Sequence, residues 1–176
     1  MGKTLRNTVL LALLPLLLGS GRDPGILLEL DRSAFELTVR DLRGLAIGPR
    51  IPVVVGSPHH PTPTGEFPLY QVIETPEWRP GPEARSAGAE PVSASPVGPL
   101  GVAKIPFARG GIALHGGAHP LLLGKPISLG CVRTEDADLL GLIDWLDARG
   151  ALGPPREHAN GESYRAFLRP ARIRVR

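Results

Sequence analysis

The chain has 176 residues and a mass of 18.7 kDa, which suits one ordinary domain with a sizeable core, so neither a metal nor a disulfide is required for folding. Its 22 glycines and 20 prolines, close to a quarter of all residues, exclude a helical bundle and favour strands joined by many turns, a mainly β or β-rich α+β domain. The single cysteine, Cys131, excludes an intrachain disulfide and a Cys-rich zinc module, and an aromatic content of 5% speaks against a base-stacking nucleic-acid surface.

Residues 1–21 read as a secretory signal peptide. Lys3 and Arg6 form a basic start, Val9 to Leu18 is an apolar run broken only by Pro15, and Gly19-Ser20-Gly21 supplies small residues for cleavage. The run is about half of the roughly 20 residues a helix needs to span a bilayer, which weighs against the alternative of an uncleaved anchor. No cysteine near the cleavage site is available for a lipid, so no stable membrane anchor is expected after cleavage. Cleavage would remove Lys3 and Arg6 and no acidic residue, lowering the formal charge from +3 to +1, so the overall balance calls for no polyanionic partner. The remainder, 22–176, is expected to be a single domain acting as a monomer.

In that remainder Ile26–Leu30 is a short apolar run, and Phe35, Leu37 and Val39 alternate with Glu36, Thr38 and Arg40 as a half-buried strand does. Asp31-Arg32-Ser33 between them makes the pair a hairpin. Ile51–Val55 is expected to be a third strand with Pro52 near its start, and Phe67–Ile73 resumes strand character after the turn-forming stretch Pro58–Gly65. Residues 76–100, rich in Pro, Gly, Ala and Ser, show no period, as expected of a lid or a disordered loop. Ile112-Ala113-Leu114 is an apolar run ending at His115. One main helix is expected at about 134–149, with Thr134 as N-cap, Glu135, Asp136 and Asp138 in the first turn, and an apolar face of Leu139, Leu142, Ile143, Trp145 and Leu146 that ends at Arg149-Gly150. Ile173 and Val175 alternating with Arg172, Arg174 and Arg176 predict a final edge strand at about 172–176, guarded by outward charge.

The chemistry concentrates between His115 and Arg133. Cys131 sits just upstream of the expected helix start, where unpaired N–H groups and the helix dipole, with Arg133 close by, would favour the nucleophilic thiolate. Gly130 lets the chain bend sharply, and main-chain N–H groups at Gly130 and Cys131 could stabilise an oxyanion. His115, at a strand end before Gly116-Gly117, could serve as base and then acid. The plainer readings are a buried, inert cysteine and a packed histidine. An unpaired thiol in an exported protein favours use over chance.

The segments His115-Gly116-Gly117, Leu123-Gly124-Lys125-Pro126-Ile127-Ser128 and Gly130-Cys131-Val132-Arg133, with twelve residues between His115 and Ser128, resemble the active-site signature of the L,D-transpeptidase (YkuD) family. Pro61-Thr62-Pro63-Thr64-Gly65-Glu66-Phe67 is similar to a second segment of that family, and the likeness covers roughly 26–150 and extends to the last strand. The resemblance implies a mixed β-sandwich with a helix packed beside it. It implies that Cys131 attacks the carbonyl of the third residue of a peptidoglycan stem tetrapeptide and releases the terminal D-alanine. The thioester would pass to an amine, giving a 3→3 cross-link or anchoring a protein to the wall, or to water, as in an L,D-carboxypeptidase. It implies His115 as general base, the Gly116 carbonyl orienting it, Gly130 and Cys131 as oxyanion donors, and Ser128 and Arg133 in substrate binding. Ser128 could instead only shape the turn, and Arg133 only brace the loop. It also implies no cofactor, a carbapenem-type inhibitor as covalent ligand, and a location in the periplasm or cell-wall space. Leu129 and Thr134 depart from the residues common in the family, and the segment after Gly150 is longer and richer in Arg. A non-catalytic wall-binding module on the same scaffold is the competing class, though a binder has no need of the Cys131 and His115 pair.

Other features have plainer readings. His115, His119 and Cys131 could be taken for zinc ligands, but glycines and Pro120 rule out a shared helical face, so no metal is expected. His59 and His60 are loop residues, Trp78 either lids the site or anchors its loop, and Arg165 and Arg169 add to the basic C-terminal stretch.

Overall fold

The computed structural model describes residues 25–176, so the proposed signal peptide lies outside the described residues. Two sheets form the body of the domain. The first runs in the order β3-β2-β1-β13-β5, built from β1 (Ile26–Asp31), β2 (Glu36–Asp41), β3 (Ala46–Pro52), β5 (Gly65–Pro68) and β13 (Ala171–Val175). The second runs β10-β8-β7-β6-β12-β11, from β6 (Gln71–Glu74), β7 (Ala103–Ala108), β8 (Ile112–His115), β10 (Val132–Arg133), β11 (Arg156–Glu157) and β12 (Ser163–Ala166). A short parallel pair, β4 (Val55–Gly56) and β9 (Pro126–Ser128), lies beside them. Both sheets mix parallel with antiparallel neighbours, β1 with β13 and β8 with β10 being the parallel pairs. This is the mixed β-sandwich expected, with one main helix, α2 (Asp136–Asp147). A single turn of helix, α1 (Pro82–Ser86), interrupts the loop over 76–100.

One apolar cluster joins the layers. Leu28 and Leu30 of β1, Leu37 and Val39 of β2, Ile105 of β7, Leu114 of β8 and Ile173 of β13 are all buried in it, with Leu139, Leu142 and Leu146 of α2. The hairpin expected at its N-terminal end is present, its turn closed by the Asp31 carboxylate accepting the Ser33 and Ala34 N–H groups.

The structure corrects several expectations. The third strand begins five residues early and has Pro52 at its end, because β2 pairs with Ala46 through Pro52. Phe67–Ile73 is two strands: Gly65–Pro68 pairs with β13, and the chain crosses at Leu69 and Tyr70 to the other sheet. The last strand is interior. Its Cα partners are β1 on one side and β5 on the other, and its arginines form cross-strand ion pairs with Glu66 and Glu29. Strand β7 escaped the periodicity reading because Pro106 interrupts it. Here β6 pairs only with Ala103 and Lys104, so the missing N–H lies beyond that ladder. Thr134 does not cap the helix: Glu135 holds the N-cap position, and the Thr134 hydroxyl donates to the Pro52 carbonyl at 3.1 Å.

Candidate active site

Two residues separated by fifteen positions in the chain are brought to one face by a parallel ladder. Strand β10 pairs with β8 so that Arg133 lies opposite His115 and Val132 opposite Leu114. Strand residues alternate between faces, so Leu114 and Val132 point into the core, where both are fully buried. Ala113, His115, Cys131 and Arg133 line one groove of about 860 Å³ on the other side. The fold thus opens Cys131 and His115 onto the same space.

The bend before the sulfur is made by Gly130, whose φ of +106° is a conformation L side chains rarely adopt. A Cβ there would also meet Ile112 Cδ1 at 2.8 Å. Ser128 locks the bend from beneath. It is fully buried, its hydroxyl donates to the Cys131 carbonyl at 2.5 Å, and it accepts the Gly130 N–H at 3.1 Å. Two expectations change accordingly. Ser128, expected in substrate binding, is buried beneath the turn and shapes it. The Gly130 N–H is already spent on Ser128, which leaves the Cys131 N–H as the donor of that pair without a partner inside the turn.

His115 is buried, and its Nδ1 lies 2.8 Å from the Gly116 carbonyl oxygen, the contact the resemblance implies. Burial drives its pKa down to about 4; Arg133 pushes the same way, while the carbonyls of Gly116 and Leu100 and the charge of Asp136 push back. The imidazole is therefore neutral at pH 7. With the proton on Nδ1, facing Gly116, the other nitrogen carries a free lone pair.

Cys131 is half-buried, with its sulfur 3.8 Å from the Gly111 carbonyl oxygen. Burial pushes its thiol pKa up, against the Ala113 backbone and the Arg133 charge, which lower it. The helix expected from Thr134 begins only at Asp136, with β10 between it and Cys131. The resting groups are thus a thiol and a neutral base that line one groove, and proton transfer belongs to the reaction itself. Arg133 lines the groove, and its Nε is buried without a hydrogen-bond partner among the described residues.

At the far end of the groove Glu162 accepts hydrogen bonds from Tyr164, from Asn160 at 3.0 Å, from the Glu77 N–H at 2.9 Å and from Lys104 at 3.3 Å. Burial pushes its pKa up, but these donors outweigh it and bring it down to about 2. No sequence pattern marked this cluster, because its members come from β7, β12 and two loops. Trp78 lines the groove, and its main chain pairs with Val92. His60 Nε2 lies 3.2 Å from a carboxylate oxygen of Glu83 on α1. His119 accepts the Leu121 N–H at 3.2 Å, and among the described residues no three His, Cys, Asp or Glu side chains converge to hold a metal. The C-terminal arginines are spent on carboxylates: Arg165 on Asp147, and Arg172 and Arg174 on Glu66.

Comparison with known proteins agrees with this fold. The family profile described as the L,D-transpeptidase catalytic domain, YkuD, matches residues 27–156. An L,D-transpeptidase from Mycobacterium tuberculosis H37Rv is similar over 87% of this chain and 58% of its own, at 15% identity and a TM-score of 0.55. L,D-transpeptidase 3 from Mycobacterium tuberculosis, solved with a faropenem-derived adduct, covers 87% and 60% at 17% identity and a TM-score of 0.55. The L,D-transpeptidase from Stackebrandtia nassauensis covers 86% and 55% at 16% identity and a TM-score of 0.54. At such identities the likeness establishes the fold, and this chain spans under two thirds of the length of each of these structures. No curated protein matches the sequence.

Proposed function

The chain belongs to the L,D-transpeptidase catalytic-domain (YkuD) family, and from that premise we propose that it is an exported cysteine L,D-transpeptidase acting on peptidoglycan stem tetrapeptides. The observation that carries the reading is the ladder of β8 and β10, which opens the sulfur of Cys131 and the neutral imidazole of His115 onto one groove.

The reaction follows from those two groups. As the sulfur attacks the carbonyl carbon of the third stem residue, His115 takes the thiol proton. Charge develops on the carbonyl oxygen, and the Cys131 N–H is the turn's available donor to it. Collapse breaks the peptide bond; the imidazolium gives its proton to the departing D-alanine amine, and a thioester remains on Cys131. An acceptor amine then attacks the thioester and loses a proton to His115, which returns it to the sulfur. The product is a 3→3 cross-link, or a protein joined to the wall. The place of Arg133 in the groove lining supports a role in holding a stem-peptide carboxylate. A β-lactam of the carbapenem or penem class would acylate the same sulfur.

Incubation with a purified tetrapeptide-bearing muropeptide, read by mass spectrometry, tests this. Loss of D-alanine with dimer formation is expected, and both disappear in Cys131→Ala. Loss without dimer would mean water as acceptor and a carboxypeptidase. No product from the unaltered protein, or product undiminished by Cys131→Ala, would overturn the enzyme reading in favour of a wall-binding module.

A further inference from the structure

Asp136 opens α2, one turn of chain beyond the Cys131 motif, and faces back into the site. One of its oxygens, Oδ1, accepts two main-chain N–H groups, from Gly117 at 2.9 Å and from Val102 at 3.0 Å. These donors belong to two different segments. Gly116-Gly117 follows β8, and Leu100-Gly101-Val102 leads into β7. The fit is close on both sides: a Cβ on Gly116 would lie 2.0 Å from that oxygen and one on Gly101 2.1 Å, so only glycine admits the carboxylate at either place.

The Gly116–Gly117 segment also supplies a carbonyl to His115, its Gly116 oxygen lying 2.8 Å from Nδ1, and the Leu100 main chain raises the affinity of the ring for a proton. The oxygen that gathers the two N–H groups therefore ties together the two main-chain segments that act on the imidazole. We propose that Asp136 is a positioning residue of this site: by tying the Leu100–Val102 and Gly116–Gly117 segments together, its carboxylate fixes the plane and tautomer of the His115 ring. The inference deepens the proposed function, since it rests on His115 being the base.

Four other polar groups surround the ring's position. Arg133 stands opposite on β10 and Lys104 opposite on β7, while Cys131 and Glu162 line the same groove. Lys104 is engaged elsewhere, donating to the Glu77 carbonyl and to Glu162. Arg133 lowers the affinity of His115 for a proton, and the charge of Asp136 raises it. The carboxylate thus has two separable effects, one through hydrogen bonds and one through charge.

Nitrogen-15 NMR of the His115 side chain in the full chain reads both without any assay of activity. In the unaltered protein a single Nδ1–H tautomer titrating at about 4 is expected. Asp136→Asn keeps an oxygen for both N–H groups, so the tautomer stays and the midpoint falls. Asp136→Ala removes the acceptor, so the tautomers mix. For D-alanine release, kcat of Asp136→Ala should fall about 10- to 100-fold with KM little changed, in keeping with a small misplacement of a reacting group, and Asp136→Asn should recover most of it. A wild-type tautomer in a folded Asp136→Ala overturns the proposal. If that variant does not fold, Asp136→Ser, whose shorter side chain cannot reach both N–H groups, decides: a wild-type tautomer there overturns it. A disturbed tautomer in a chain that releases no D-alanine would fault the enzyme reading and leave the positioning role standing.

Discussion

At the scale of single residues, the resting sulfur is held back by burial, and that decides how it should react with a small electrophile. Free cysteine ionises at about 8.5. Burial raises Cys131, and Arg133 and the Ala113 backbone offset it only in part. Alkylation of the unliganded protein by iodoacetamide should therefore be slow at neutral pH and rise through a midpoint above that of free cysteine. Arg133→Ala should move the midpoint further up, since a positive charge that favours thiolate is lost. Rapid labelling with a midpoint near 7 would show a preformed thiolate and contradict this account. The sequence alone led to the opposite expectation, because it shows Arg133 and a coming helix but not the burial of the sulfur. Cys131 and His115 themselves were legible, since their motif is local. The burial of Ser128, the spent N–H of Gly130 and the reach of Asp136 were not, since each depends on partners that only the folded chain supplies.

At the scale of elements, β13 shows how a correct period can be given a wrong address. Its alternation was plain: Ala171, Ile173 and Val175 are buried and Arg172, Arg174 and Arg176 exposed. Charge on an exposed face reads as edge protection when no partner is known. Here Arg174 lies opposite Glu29 of β1 and Glu66 of β5, so the same arginines are cross-strand partners inside the sheet. The two faces should differ sharply in what they contribute. Ile173→Ala empties a fully buried position shared by the sandwich core and should cost about 2–5 kcal/mol in urea unfolding. Arg174→Ala removes a half-exposed ion pair and should cost about 1 kcal/mol or less. An Ile173→Ala loss no larger than that of Arg174→Ala would mean that β13 is not a core strand. The first hairpin and the main helix were legible because each carries an uninterrupted period, and the sandwich was legible only through the family resemblance. The crossing at Leu69 and Tyr70 and the strand through Pro106 were not, because a change of sheet leaves no mark on hydropathy and proline hides a strand's alternation.

At the scale of the whole molecule, the groove that would hold substrate stores protonation free energy at both ends, and the two ends titrate in different windows. His115 has an ordinary pKa of 6.5 and about 4 in the folded chain. Between those values the unfolded chain binds a proton that the folded chain refuses. The stability linked to His115 is therefore complete above pH 6.5 and drains away as pH falls through about 4, amounting to about 3 kcal/mol in all. Glu162 differs in its window: its carboxylate is ordinary at 4.5 when unfolded and about 2 when folded, so its contribution holds above pH 4.5 and is lost as pH falls towards 2. Acid unfolding should accordingly begin with the catalytic end of the groove and finish with the far end. Urea midpoints measured from pH 7 to pH 2 should decline in two stages. His115→Gln should flatten the stage between pH 6.5 and 4 and leave the lower one, whereas Glu162→Gln should flatten only the lower. A His115→Gln protein that keeps the full slope between pH 6.5 and 4 would mean that the imidazole is not buried neutral beside Gly116, and the groove would lose the free base on which its chemistry depends.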